Sequence, residues 1–281
     1  MASTQGALPP FCLVRPGSLS EARRVLADRP DATIAAGCTD LVASIREGHV
    51  PVTLVSLRRL DELRTVQHVG GKLRIGALNG HDEGPRHPVL RAVLPELSVA
   101  WSGIATVRIR FRATVGGNLM ARRFRYEMPV ILGALDTVME FSTGQGEQCR
   151  TVDEFVRRDP DLPDGAALLH HVTVDTGSLL LFRYDRSMRP VTTVALAVRR
   201  VGGGLELTAA VGAEYRPAVV LRAGSAVASV QELDPAGLAR ALAAQLPDWT
   251  GDYAGSAAYR RRVVEVLLRR QLDTAGIRGA A

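Results

Sequence analysis

Two short loops carry the residue types best suited to binding an anion. The first is Ala36-Gly37-Cys38-Thr39-Asp40, and the second is Ala113-Thr114-Val115-Gly116-Gly117-Asn118. Small residues allow main-chain N–H groups to approach a phosphate oxygen, and threonine hydroxyls add further donors. Neither loop contains G-x-G-x-x-G or the Walker pattern, so the sequence favours neither a Rossmann nor a P-loop nucleotide site. A glycine pair is also common in tight turns, which leaves both interpretations open at each loop.

The spacing of the histidines and cysteines does not predict a metal site. His170 and His171 are adjacent in a predicted strand, where neighbouring side chains point to opposite faces and cannot share one ion. We therefore expect them to be packed or exposed histidines. Cys12, Cys38 and Cys149 are scattered and form no C-x-x-C pair, which argues against a disulfide framework and favours a reducing cytoplasm.

The first loop lies between a strand and a helix in an alternating N-terminal segment. Leu13–Pro16 is extended, because the residue before a proline avoids the helical region. A helix through residues 21–27 follows, with Ser18 or Ser20 as its cap. The elements predicted around the loop itself are a buried strand at 32–36, a helical turn at 40–46 and another strand at 52–57.

The second loop lies in a longer segment of mixed helices and strands. Gly70-Gly71 marks a turn before a strand at residues 72–77. Apolar residues at helical spacing from 89 to 103 predict one or two helices. After the loop we predict a helix at 129–135, a strand at 137–141 and a brief helix at 153–156.

A loop rich in Asp, Pro and Gly at Asp159–Gly165 is the clearest boundary signal. Beyond it the pattern becomes that of hairpin strands, with Gly202-Gly203-Gly204 as a turn. The predicted strands are 178–184, 191–199, 205–211 and 218–221. Two helices follow, one at 236–245 capped by Asp234 and one at 257–271. The second carries Arg260-Arg261-Arg262. Its pattern is that of an ordinary amphipathic helix or of a docking face for an acidic partner.

Composition limits the class of protein. The chain has 281 residues, of which 46% are hydrophobic and 23% charged, as in a globular protein with one large or two ordinary domains. No apolar run reaches the roughly 18 residues of a membrane span, and residues 1–10 predict no secretion signal. The net charge is +6, with Lys72 as the only lysine. Arginine suits phosphate ligands, nucleic acid, an acidic membrane surface or acidic partners, but such usage is more often a compositional habit than a function.

The order and spacing of the loops resemble a known family. Its pattern is A-G-G-T-D-L, then I-G-A, then I-R-N-x-A-T-x-G-G-N. Here the three stretches are residues 36–41 (AGCTDL), residues 75–77 (IGA) and residues 109–118 (IRFRATVGGN), and Ser256–Arg260 (SAAYR) also matches the family. The chain therefore resembles the FAD-binding medium subunit of the molybdenum hydroxylases, the family that includes carbon monoxide dehydrogenase and xanthine dehydrogenase.

The resemblance implies an α+β protein with two domains. Residues 1–172 would form an FAD-binding domain of the vanillyl-alcohol oxidase (PCMH) type, with two α/β lobes that divide near residue 58. Residues 173–281 would form a smaller C-terminal α+β domain of the carbon monoxide dehydrogenase flavoprotein type, which closes over the flavin.

The resemblance also implies the cofactor, FAD, and the residues that bind it. Its pyrophosphate would lie between the two loops. A carboxylate after the second loop would accept hydrogen bonds from ribityl or ribose hydroxyls, and a basic residue in the C-terminal domain would stabilise negative charge on the reduced flavin. The cofactor-binding residues carried over are Ala36, Gly37, Cys38, Thr39, Asp40, Thr114, Gly116, Gly117, Asn118, Arg123, Glu127, Leu169 and Arg186. Asp40 is equally suited to cap the helix that follows it.

The chain departs from the family pattern at several positions. Cys38 replaces the second glycine of the first loop, so either its backbone suits a non-glycine residue or the loop is reshaped. Phe111 replaces an asparagine, and Gly80 replaces a threonine. After the second loop the family continues A-S-P-x-x-D, whereas this chain has Arg122-Arg123-Phe124-Arg125-Tyr126-Glu127. That stretch predicts either arginines that reach FAD, with an aromatic ring near the flavin, or a solvated basic loop. No nucleic-acid-binding fold pattern accompanies it.

The resemblance predicts an FAD-dependent electron-transfer subunit with no catalytic side chain. Electrons would arrive from an iron–sulfur subunit and leave through the flavin to NAD, a quinone or oxygen. The iron–sulfur and molybdopterin subunits would be separate chains, because three cysteines do not supply a cluster. The alternatives are a stand-alone flavoprotein oxidoreductase acting on a small metabolite, suggested by the altered stretch 122–127, and a scaffold that has lost FAD.

Overall fold

A computed structural model describes residues 10–143, 146–157, 167–187 and 191–277, with side chains up to residue 274. The N-terminal part is a parallel three-stranded sheet with strand order β1-β3-β2. Its strands are β1 (Cys12–Val14), β2 (Thr33–Ala35) and β3 (Thr53–Ser56), and its crossover helices are α1 (Leu19–Asp28) and α2 (Thr39–Arg46). Ser18 caps α1, because its hydroxyl accepts a hydrogen bond from the main-chain N–H of Glu21 at 3.1 Å. The predicted alternation of strands and helices is confirmed here.

The middle part is an antiparallel five-stranded sheet with order β4-β5-β8-β6-β7. Gly70 and Gly71, with φ of +59° and +74°, form the tight turn that joins its first two strands. The strands are β4 (Val66–Val69), β5 (Lys72–Gly76), β6 (Val138–Thr143), β7 (Gly146–Thr151) and β8 (Leu168–Asp175). The helices are α3 (Pro88–Val93), α4 (Pro95–Ser102), α5 (Val107–Arg110), α6 (Val115–Met120), α7 (Met128–Ala134) and α8 (Val152–Val156).

The C-terminal part is an antiparallel meander with order β12-β11-β10-β9. Its strands are β9 (Leu179–Arg186), β10 (Thr192–Val201), β11 (Gly204–Ala213) and β12 (Arg216–Ser225), and the helices after them are α9 (Pro235–Ala244) and α10 (Ala257–Ile277). Asp234 caps α9 as predicted, accepting hydrogen bonds from the N–H groups of Ala236 and Gly237, both at 3.1 Å.

The C-terminal sheet is buried on both faces. Leu196 and Leu207 belong to one face and pack in the same core as Leu242 of α9 and Leu268 of α10. The opposite face presents small side chains, and Val130 of α7 lies there so close to Gly212 that a Cβ atom at residue 212 would lie 2.6 Å from it. The alternation of large and small residues along β10 and β11 therefore allows helices to pack on both sides.

The strand β8 bears on the division into domains. The boundary predicted between residues 172 and 173 lies within β8, whose residues up to Asp175 pair with β5. The boundary loop, Asp159–Gly165, lies outside the described residues. In the part of the chain that the structure describes, none of the helices combines the length and the apolar character needed to cross a bilayer.

Candidate cofactor-binding site

The two small-residue loops contact each other through their main chains. A Cβ atom at Gly37 would overlap the carbonyl oxygen of Arg112 and lie 2.9 Å from the Cα atom of Ala113. Only glycine fits at this position without a shift of the backbone. The two predicted loops, which are far apart in the sequence, therefore form one site between β2 and α2 on one side and α6 on the other.

Cys38 adopts a glycine-like conformation, with φ of +62° and ψ of +8°. The first loop is thus not reshaped to suit a side chain, and a non-glycine residue occupies the left-handed region. The thiol donates to the carbonyl of Ala36 at 3.5 Å. Burial raises the pKa of Cys38, although the nearby Arg112 acts in the opposite direction. The thiol is therefore a weak donor here and not a thiolate.

The first turn of α2 has open hydrogen-bond donors. Cys38 is its N-cap residue and makes no side-chain cap bond, so the first N–H groups of the helix have no side-chain acceptor. The Thr39 hydroxyl forms no hydrogen bond with any of the described residues. Asp40 does not cap the helix, which removes one of its two predicted roles. The unpaired N–H groups at the N-terminus of α2 carry a partial positive charge, which faces the space beside the second loop.

The second loop is held in place by its own hydrogen bonds. The Thr114 hydroxyl caps α6 by accepting from the N–H of Gly117 at 3.0 Å. The N–H of Gly116 donates to the carbonyl of Ala77 at 2.8 Å, and a Cβ atom at Gly116 would lie 2.8 Å from the Cβ atom of Ala77. The side-chain Oδ1 atom of Asn118 is buried without a partner among the described residues. Such an orphaned polar atom indicates a ligand or water partner.

Asp40 joins the first loop to the basic stretch. Its Oδ1 atom accepts hydrogen bonds from Arg123 Nε and from the Tyr126 hydroxyl, both at 3.0 Å. Arg123 also donates to the Ser44 hydroxyl at 3.1 Å. Burial, followed by the charge of Asp40, raises the pKa of Tyr126 to about 12. Two predicted FAD ligands, Asp40 and Arg123, thus bind each other in this structure.

The rest of the basic stretch divides between solvent and protein. Phe124 and Arg125 are exposed, as the interpretation of a solvated loop expects. The guanidinium of Arg122 lies 4.3 Å from the centre of the Phe155 ring, within the range of a cation–π contact. None of these contacts tests the other interpretation, in which the stretch reaches FAD.

Glu127 and Arg186, two more predicted FAD ligands, also contact each other. Glu127 Oε1 accepts from Arg186 Nη1 at 2.9 Å and from the Tyr184 hydroxyl. Burial, and then the carboxylate of Glu127, raise the pKa of Tyr184 well above its usual range. The contact ties the start of α7 to β9. Roles for Glu127 and Arg186 toward the cofactor stay predictions.

The Leu169 side chain belongs to the hydrophobic core, with 3% of its surface exposed. It faces Phe141 across the strand pair, and a bulge follows at His170, whose carbonyl accepts from the N–H of Ala77 at 2.8 Å. A contact between Leu169 and a cofactor would therefore come from the main chain.

The two adjacent histidines are structural. His170 and His171 are both buried, and His170 Nε2 lies 2.8 Å from the Ser142 hydroxyl. Burial and the nearby Arg23 lower the pKa of His170 to about 4, so the ring is neutral. Among the described residues no group of three or more potential ligands could hold a metal ion.

Sequence reasoning missed a buried histidine behind the second loop. The N–H of His81 donates to the carbonyl of Ala113 at 3.0 Å, and its Nδ1 atom accepts from Trp101 Nε1 at 2.7 Å. The indole must be the donor, so the ring proton of His81 is on Nε2. Burial, with a smaller contribution from Arg110, lowers the pKa of His81 to about 4. The only sequence signal was its position directly after Gly80, where the family pattern changes.

The two loops and the first turn of α2, which we call the cradle, present open donors suited to an anion on a mixed α/β fold. The family described as "FAD binding domain in molybdopterin dehydrogenase" matches residues 9–174. The chain belongs to this family. FAD is accordingly its cofactor, which confirms the resemblance found in the sequence.

Individual proteins show the same likeness. The chain is 30% identical over 148 residues to caffeine dehydrogenase subunit beta of Pseudomonas sp. strain CBB1, a match that covers 52% of this chain and 50% of that one. The chain thus spans about half the length of that relative. It is 27% identical to the nicotine 6-hydroxylase medium subunit of Paenarthrobacter nicotinovorans, over 96% of this chain and 99% of the other. Its fold matches the structure of quinoline 2-oxidoreductase from Pseudomonas putida 86 with a TM-score of 0.80, at 25% identity over 98% and 99% of the two chains.

The residues of the cradle fit FAD at the pyrophosphate end. Gly37 and Gly116 allow the two loops to pack against Arg112 and Ala77, where a Cβ atom would clash. The first turn of α2 has open donors, and the carboxamide of Asn118 has an orphaned oxygen. This combination suits a ligand with a doubly charged phosphate group and neighbouring hydroxyls.

Proposed function

We propose that this chain is the FAD-binding electron-transfer subunit of a molybdenum hydroxylase-type dehydrogenase. The observation that carries the proposal is the main-chain contact between the two loops, which brings the two motifs together at one site. We further propose that the parallel sheet and the five-stranded sheet are the two lobes of a PCMH-type FAD-binding domain. The C-terminal meander with its two helices would be the second domain, with the boundary after Asp175, where β8 ends, a few residues beyond the position predicted from the sequence.

The pyrophosphate would lie between the loops. The N–H groups of Cys38 and Thr39 and the Thr39 hydroxyl supply donors from the first loop. On the second loop the N–H groups of Gly116 and Gly117 already bind Ala77 and Thr114, and the missing side chain of Gly116 allows the loop to pack against Ala77. The carboxamide of Asn118 offers an acceptor for a hydroxyl or, through its nitrogen, a donor for a phosphate oxygen.

Bound FAD would supply the electron transfer, between an iron–sulfur partner subunit and NAD, a quinone or oxygen. This chain's residues would bind and orient it and exclude water, and no side chain need act as an acid or base. We assign the iron–sulfur and molybdopterin centres to partner chains, because Cys12, Cys38 and Cys149 are too few and too scattered for a cluster. The cytoplasm is the proposed compartment for such a complex.

Purification of the protein tests the proposal in two steps. The protein should carry FAD, or bind it with one equivalent per chain when incubated with it. Absence of flavin binding would leave the scaffold hypothesis. Purification from the native host should then bring down iron–sulfur and molybdopterin chains. Bound FAD without those chains would favour the stand-alone flavoprotein acting on a small metabolite.

A further inference from the structure

The segment around the second loop is unusually rich in positive charge. Between Leu97 and Tyr126 the chain has six arginines and no acidic residue. Basic residues near an anion cradle attract a charged ligand and, where a guanidinium reaches the ligand, form two-pronged hydrogen bonds with phosphate oxygens. An arginine can bind a ligand most readily where its charge is not already paired within the protein.

Three of the six arginines already have partners within the protein. Arg123 binds Asp40 and Ser44. Arg110 donates to the carbonyls of Ile104 and Ala105 at 3.1 and 2.9 Å. Arg122 lies over the Phe155 ring. Outside the segment, Arg186, which the family resemblance places near the flavin, is paired with Glu127.

Arg112 differs from these arginines in two respects. It is exposed and has no ion pair with any of the described residues. Its main chain also lies directly against the first loop, since its carbonyl oxygen occupies the space where a side chain at Gly37 would be. Its guanidinium is close enough to Cys38 to oppose the rise in the pKa of that thiol. Arg112 therefore brings an uncompensated positive charge to the first turn of α2.

We propose that Arg112 binds the pyrophosphate of FAD, as the charged ligand of a cradle whose other ligands are uncharged. This inference rests on the proposed function and adds to it a residue that stands at a variable position of the family pattern. Arg123 and Arg186 would not bind the pyrophosphate. They would act as positioning residues, since each of them neutralises a carboxylate of this chain.

The test compares Arg112→Gln with Arg108→Gln in the flavin-free full-length protein. Arg108 is one helical turn earlier and exposed, so its variant controls for the loss of one positive charge from the same segment. Quenching of flavin fluorescence gives the dissociation constant for FAD. The Arg112→Gln variant should bind FAD about 10- to 100-fold more weakly, as expected for the loss of a charge-assisted hydrogen bond. Arg108→Gln should stay within about twofold of the unmodified protein, and Arg112→Lys should lie between the two glutamine variants.

Two ligands without the complete cofactor identify the contact. ADP contains the pyrophosphate, and its affinity by calorimetry should fall with that of FAD. Riboflavin has no phosphate, and its affinity should not change. Circular dichroism should show that Arg112→Gln is folded, because an exposed arginine without an ion pair contributes little to stability.

Several results would overturn the inference. Equal FAD affinities for Arg112→Gln and Arg108→Gln would show that Arg112 contributes only general charge. A parallel loss of riboflavin affinity would show that it acts on the flavin end or on the loop. If the unmodified protein bound no FAD, the proposed function would fail along with the inference. If it bound FAD and Arg112→Gln bound it equally well, only the inference would fail.

Discussion

Cys38 occupies a backbone conformation that glycine adopts at no steric cost. Its φ of +62° places Cβ close to the neighbouring carbonyl oxygen, which costs about 1 kcal/mol for a residue other than glycine. The loop keeps this geometry because Gly37 is packed against the main chain of residues 112–113 and α2 begins immediately afterwards. The strain is thus imposed by the elements on either side of the loop.

The effect of substitutions at Cys38 on the free energy of unfolding should depend on this backbone strain. Cys38→Gly should change the free energy of unfolding by no more than about 1 kcal/mol, because relief of strain offsets the greater freedom of glycine in the unfolded chain. Cys38→Val should lower it by about 1–2 kcal/mol, since a β-branched side chain is crowded at positive φ. Urea unfolding measures both.

Cys12→Val is the matched control, because it removes a thiol from the exposed strand β1, where valine is favoured. A Cys38→Val protein as stable as Cys12→Val would show that the left-handed conformation carries no cost.

At the scale of elements, His81 supports the second loop from behind. It is 1% exposed, and the indole of Trp101 donates to its Nδ1 atom. Protonation would place a charge in this apolar setting and remove the acceptor that the indole uses, which explains the low pKa of His81. The loop therefore depends on a neutral imidazole.

Stability should consequently fall in mild acid. The pKa of His81 is about 4 in the folded protein and about 6.5 in the unfolded chain, so the unfolded state binds more protons between these values. The stabilisation is complete above pH 6.5 and is lost as the pH falls towards 4, by about 3 kcal/mol for this residue. His81→Asn, which keeps an acceptor for the indole, should show a flatter decline in urea unfolding between these pH values. An unchanged pH dependence would argue against this role, and the exposed His49 provides a control variant, His49→Asn.

The arginines of α10 have different environments within one helical turn. Arg260 and Asp252 form a buried ion pair at 2.6 Å, with side chains only 1% and 4% exposed. Arg260 also donates to the Thr192 hydroxyl at 3.1 Å. Arg262 is 72% exposed and contacts Glu265 at 3.3 Å. Arg260 therefore lies neither on the polar side of an ordinary amphipathic helix nor on a docking face for an acidic partner, the two interpretations predicted from the sequence.

Removal of these two arginines should have unequal effects. Arg260→Gln should lower the free energy of unfolding by about 3–5 kcal/mol, because it leaves the Asp252 carboxylate buried without its partner. Arg262→Gln should cost no more than about 1 kcal/mol, as for an exposed ion pair. Chemical unfolding of the two variants measures the difference. Similar losses would mean that Asp252 gains access to water once Arg260 is gone.

Two strands that were not predicted share a physical cause. The strands β4 and β7 lie at the two edges of the five-stranded sheet, and three of the four residues of β4 are exposed. Edge strands such as these lack the alternation of apolar and polar residues that identifies a half-buried strand. The strands β10 and β11, most of whose residues are buried, were predicted, and each contains an apolar run, Val194–Val198 and Ala209–Val211.

At the scale of the whole molecule, the cradle joins the parallel sheet to the helices of the five-stranded sheet. Its two sides meet at Gly37 and are tied together by Asp40 and Arg123. Because both sides contribute to the cradle, FAD binding should stabilise the folded state as a whole. At a free FAD concentration of 100 times its dissociation constant, the free energy of unfolding should rise by about 2.7 kcal/mol.

Gly37→Ala should remove this stabilisation, because its methyl group overlaps the carbonyl of Arg112 and forces the loops apart. Thermal unfolding with and without FAD measures the effect. Gly224→Ala is the control, since a Cβ atom at Gly224 on β12 has no neighbour within 4 Å. An equal FAD-dependent increase in Tm for both variants would contradict the position of the cradle.

The sequence by itself determined the family, the cofactor and the two loops that form the cradle. These depend on short runs of small residues whose steric and hydrogen-bonding properties are local. Only the tertiary structure decided which charges are available to a ligand. Arg123 meets Asp40 across 83 residues, and Arg186 meets Glu127 across 59, whereas Arg112 has no ion pair within the described part of the chain. Such pairing depends on which distant carboxylate the fold brings within about 3 Å of a guanidinium. The local sequence around an arginine does not predict that distance.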